Sequence, residues 1–95
     1  MTITRLNPTY STIEIGTASS NANNYIIEGR YNFSTGNTMS NMPSGCGAYG
    51  VLCVFTRNTS RTSQWHAVIQ LCMSGTTAWM RSSYDGNWGA WARLT

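Results

Sequence analysis

The sequence predicts a mainly β domain, a small antiparallel sheet of about five to seven strands with little or no helix. Three observations predict it. Thr, Tyr, Trp, Val and Ile are plentiful and favour strands, whereas helix formers are scarce: four Leu, two Glu and no Lys among 95 residues. Apolar residues recur with a period of two in several runs, and none keeps a 3.6-residue period over a useful length. Turn signals centred on Gly, Ser74-Gly-Thr76 and Asp85-Gly86-Asn87, separate the last of these runs.

Residues 1–24 differ from the rest. Thr2-Ile-Thr-Arg-Leu6 alternates weakly until Asn7-Pro8 breaks it, and Thr12-Ile-Glu-Ile15 alternates again. Residues 16–24 are Ser, Ala, Asn, Thr and Gly, a loop composition. This reads as a lead-in segment with one or two edge strands, attached to a body over 25–95.

The body carries five expected strands. Over 25–33, Tyr25, Ile27, Tyr31 and Phe33 share one face, opposite Ile26, Glu28, Arg30 and Asn32. A turn-rich loop follows over 34–48. Tyr49-Gly-Val-Leu-Cys-Val-Phe55 is apolar on both faces, the pattern of a central strand covered on both sides. Over 64–73, Trp65, Ala67, Ile69, Leu71 and Met73 alternate with His66, Val68, Gln70 and Cys72. The fourth strand is 77–84, and the last is 88–94 after the Asp-Gly turn. Leu52, Val54, Ile69 and Leu71 are expected in the core. Trp88 and Trp91, three apart on one strand, are expected on opposite faces.

A chain this short makes one domain with one core. Ser, Thr and Asn number 33, yet 41% of residues are hydrophobic, enough for a core and unlike a disordered chain. The net charge of +3 comes from six Arg spread along the chain. A nucleic-acid groove wants them clustered, so no nucleic-acid partner is expected. The longest apolar stretch, 49–55, is far too short to span a membrane. No apolar region follows Met1-Thr-Ile-Thr-Arg, so no secretion signal is read there. Three Cys, at 46, 53 and 72, cannot all pair within one chain. They read as buried or half-buried thiols kept reduced, with Cys53 and Cys72 placed to face each other. One His and no C-x-x-C argue against zinc, and no cofactor is expected.

The final hairpin carries a resemblance. Ala78-Trp-Met-Arg81, a Gly turn and Trp88-Gly-Ala-Trp91-Ala-Arg-Leu94 resemble the C-terminal hairpin of the pyocin-knob family, with Gly89 where Ser is usual. Glu28-Gly-Arg-Tyr31, Asn41-Met-Pro-Ser-Gly45, Gly50-Val-Leu-Cys-Val54 and Gln70-Leu71 resemble it in the same order, over roughly residues 25–95. Such domains occur in tail fibres of bacteriophages and contractile bacteriocins. The resemblance implies a small β knob, a homotrimeric fibre and a non-catalytic role in adhesion to a host-cell surface polysaccharide or other receptor. It implies a virion tail fibre, made in the host cytoplasm and acting outside the target cell. Residues 1–24 then end a preceding fibre region. The alternative is a monomeric secreted carbohydrate-binding module or lectin.

Candidate contacts follow from sugar chemistry. Sugars stack their C–H faces on aromatic rings and hydrogen-bond to Asn, Asp and Arg. Trp65, Arg81, Tyr84, Asp85 and Asn87 form the candidate exposed set, although an ordinary hairpin turn accounts for the last three. Packing is the first expectation for each Trp, and Arg81 is placed to stack on Trp88 or Trp91. Catalysis is not expected. His66 with Ser63 or Ser82 and Asp85 could be drawn as a triad, but no nucleophile elbow surrounds any Ser. Glu14, Glu28 and Asp85 are the only acids, too few for paired-carboxylate glycosidase chemistry on a chain this short.

Overall fold

A computed structural model describes residues 14–56 and 67–95 of the chain. They form one open, mostly antiparallel sheet with two single 3₁₀ turns, at Ala22–Asn24 and Gly36–Thr38. The strands are β1 (Glu14–Thr17), β2 (Gly29–Phe33), β3 (Gly50–Thr56), β4 (Ala67–Ser74), β5 (Thr77–Tyr84), β6 (Asn87–Trp88) and β7 (Ala92–Arg93). Their order is β1-β2-β3-β4-β5-β6, with β7 also on β5. The mainly β expectation is met. β1 is the parallel edge, beside β2. The weak alternation over 2–6 and the beginning of the expected strand over 64–73, with Trp65 and His66, lie outside the described residues.

Both hairpin signals produce hairpins. Ser74 pairs with Thr77 across Gly75-Thr76, with Gly75 at φ +63°. Tyr84 pairs with Asn87 across Asp85-Gly86, whose φ angles are +55° and +83°. Two positive φ values mark a type I′ turn, whose twist matches that of the flanking strands. The last strand is not continuous. It breaks over Gly89, Ala90 and Trp91, so β6 pairs with the end of β5 and β7 with its beginning. The break is tied down by Gly89 N–H donating to the Ser82 carbonyl (2.9 Å) and Leu94 N–H to the Ala78 carbonyl (2.8 Å).

The two sheet faces have different fates. The inward face carries Tyr31, Phe33, Leu52, Val54, Val68, Gln70, Cys72, Trp79, Arg81 and Ser83, all buried. The connecting segments 18–28 and 34–48 cover it with Ala18, Ala22, Met39 and Cys46, and Tyr25, Ile26 and Met42 pack at the margin. Leu52 and Val54 are core, as expected. Ile69 is not: it is 41% exposed, and Leu71 is only half-buried. The alternation on β4 is real, but the apolar row faces out and the row containing Gln70 faces in. What decides is the cover. The segments over the inward face bring backbone carbonyls, and Gln70 answers them by donating from Nε2 to Ala22 O (2.8 Å) and Tyr25 O (2.9 Å). A satisfied amide can be buried at little net cost.

Close packing of β3 between β2 and β4 requires a glycine. A Cβ at Gly50 would run into the Met73 carbonyl and the Phe33 ring. Gly50→Ala is therefore expected to cost about 1–3 kcal/mol by overpacking, read as a lower urea midpoint at unchanged slope. A midpoint equal to the parent's would show that this contact yields freely.

Candidate functional site

The predicted contact residues separate onto three places. Asp85 and Asn87 stand at the exposed tip of the β5–β6 hairpin. The Asn87 side-chain amide folds back on the turn, donating to the carbonyls of Tyr84 and Asp85 (both 3.4 Å). Tyr84 is beside them but lies on the outward sheet face, cross-strand from Ala67, and is 57% exposed. Trp65 lies outside the described residues.

Arg81 corrects the sequence reading. It is three residues from Tyr84 on a strand and so points to the opposite face. It is 6% exposed and belongs to the interior. Its guanidinium lies 4.0 Å from the Trp88 ring centroid and 4.6 Å from that of Trp91. Nε donates to Gln70 Oε1 (2.9 Å) and one terminal nitrogen to Asn23 Oδ1 (2.8 Å). The stacking expected with one Trp occurs with both. Trp88 and Trp91 were expected on opposite faces. They share one because the strand breaks between them and period-two alternation lapses. Trp91 also donates from its indole nitrogen to the Asn41 carbonyl (2.9 Å), clamping the 34–48 loop. Burial pulls the Arg81 guanidinium down to about 10, so it stays charged at neutral pH.

The cysteines pair differently from expectation. Cys53 and Cys72 occupy opposite faces, since Cys53 is cross-strand from Leu71 and Cys72 from Leu52. Cys46, from the covering loop, meets Cys72 instead, with sulfurs 3.8 Å apart. All three thiols are free.

The outward face is the surface that sequence reasoning placed wrongly. Register stacks its side chains into rows: Val51, Met73 and Ala78; Cys53, Leu71 and Met80; Phe55, Ile69 and Ser82; then Ala67 and Tyr84. Phe55, Ile69, Met73, Met80 and Tyr84 are all more than a third exposed. The double apolar pattern of β3 was its signal. Tight clusters of exposed large apolar side chains mark interaction surfaces more often than isolated ones do. Among the described residues no group of three or more His, Cys, Asp or Glu could hold a metal ion, and no helix is long and apolar enough to cross a membrane. No protein-family model matches the chain, nor does any curated protein or solved structure.

Proposed function

We propose that this chain is a non-catalytic tail-fibre knob of a phage or phage-like particle, contributing to host-surface glycan binding and to trimer assembly. The resemblance of the ordered segments over 25–95 motivates the reading. The observation that supports it most is the outward sheet face, apolar across β3, β4 and β5 and exposed in a single chain. Association of three copies through the β3–β4 part of this face, around Phe55, Ile69 and Met73, would bury that part and leave the Tyr84–Asn87 tip at its margin, repeating any sugar site there three times. A shallow aromatic site of about millimolar strength, near −4 kcal/mol, gains roughly 10²–10⁴ in avidity from such repetition.

Mass in solution tests the assembly. A trimer is expected, and Ile69→Lys is expected to shift it to monomer while the far-ultraviolet β signal persists. A parent chain that stays monomeric at high concentration overturns the trimer. Cell or glycan-array binding tests the tip: Tyr84→Ala should weaken binding at least about tenfold with the trimer intact. Unchanged binding would place the contact surface elsewhere. A monomer that still binds sugar would favour the free-standing carbohydrate-binding module.

A further inference from the structure

We propose that Cys46 and Cys72 are a disulfide-forming pair that closes when the domain meets an oxidant and staples the 34–48 loop to the sheet. The inference concerns a modification site and does not rest on the adhesion reading. Three observations carry it. The two sulfurs are already in contact at 3.8 Å, both free and both buried. Cys72 is held in β4 between Leu52 of β3 and Trp79 of β5, whereas Cys46 sits in the covering loop between Gly45 and Gly47. A disulfide needs about 2.05 Å between sulfurs. The loop has to close the rest, and the flanking glycines give its backbone the freedom to do so. Finally, the sheet separates Cys53 from this pair, so the third thiol does not compete.

The asymmetry of the pair sets the order of events. Burial pushes both thiols up. Cys72 is the more deeply enclosed, at 0% exposure against 7% for Cys46 in the covering loop, so an oxidant reaches Cys46 first and Cys46 is the sulfur that attacks. With a peroxide, the Cys46 thiolate takes one oxygen and hydroxide leaves, giving a sulfenic acid. The Cys72 sulfur then attacks the Cys46 sulfur and expels the second hydroxide. Both thiol protons end in the two waters formed. The thiols are oxidised by two electrons and the peroxide is reduced. The closed bond would fix the end of a loop whose middle is already held by the Trp91–Asn41 hydrogen bond.

The experiment treats the full, reduced chain with hydrogen peroxide, quenches in acid, unfolds and alkylates. Expected is a monomer lighter by two hydrogens, with one thiol, Cys53, still alkylated and a Cys46–Cys72 linked peptide on mapping. The melting temperature should rise by at least about 8 °C. Cys46→Ser removes both changes; it alters a loop residue and so serves if Cys72→Ala does not fold. Three thiols still alkylated in the folded parent, oxygen added to Cys46 without a link, or a link through Cys53 would each overturn the proposal.

Discussion

Leu52→Ala is expected to destabilise the domain by about 2–5 kcal/mol. Leu52 is fully buried, at 0% exposure, on the inward face of β3. Tyr31 and Cys72 flank it in register on β2 and β4. Those strands are pinned by their ladders, so the space left by three lost carbons cannot close. The cost is then transfer plus cavity, not transfer alone. Leu71→Ala is the control. It sits on the outward face, half-buried, and truncation should cost the isolated chain only about 1 kcal/mol. The two also differ in how concentration acts. If copies associate through the outward face, the Leu71 loss grows with protein concentration while the Leu52 loss is already full in one chain. Urea midpoints at two concentrations separate them. A Leu52→Ala loss below about half a kcal/mol would mean that the inward face has been assigned to the wrong side of β3.

Period-two runs and turn chemistry made the sheet legible. The Asp85-Gly86 pair allowed two consecutive positive φ values, and Asn87 could then start β6. Strands β3 and β5 were legible because β-branched and aromatic residues run between clear breakers. The inward and outward faces of β4 were not. Alternation says that two faces differ, but not which one is covered, and here the cover arrives from segments 26 to 48 residues away in sequence. A lone Gln in an apolar strand hinted at a buried hydrogen-bonding need, yet its acceptors, the Ala22 and Tyr25 carbonyls, lie before β2, the first in a loop composition and the second in a run that reads as strand but pairs only from Gly29. The same limit hid Cys46 beside Cys72. It also hid the shared face of Trp88 and Trp91, since their strand stops between them. Of the candidate contacts, hairpin geometry alone placed Tyr84, Asp85 and Asn87 together. Arg81 was separated from them by strand parity, which the sequence does contain.

Arg81→Ala is expected to cost about 3–5 kcal/mol, the largest single effect on this fold outside the aliphatic core. The guanidinium is the hub of the inward face at the β5 edge. It joins Gln70 on β4, Asn23 in the first covering segment, and Trp88 and Trp91 in the last one. These partners are neutral: two amide oxygens and two indole faces. A buried cation with such partners is held by donor geometry and by attraction to the ring quadrupoles, each desolvated ring worth about 1–2 kcal/mol. Removal leaves Gln70 Oε1 and Asn23 Oδ1 without their donor and leaves the two indoles facing a gap. An unpaired buried acceptor costs about 1–3 kcal/mol, in full for the buried Gln70 and less for half-buried Asn23, which water can reach. Two further variants separate the contributions. Arg81→Met fills the gap between the rings but donates nothing, so the amide loss remains. Arg81→Lys keeps the charge but not the planar fork, and one ammonium cannot lie flat between two indoles while reaching both amides. Lys is therefore expected to recover less than half of the Ala loss. Tryptophan emission gives an independent reading, because loosening the stack admits water and shifts emission to longer wavelength. An Arg81→Ala protein that loses under about 1 kcal/mol, with unshifted emission, would show that the stack is incidental to the fold. A Lys variant as stable as the parent would show that charge alone, not the guanidinium plane, holds the C-terminal segment on the sheet.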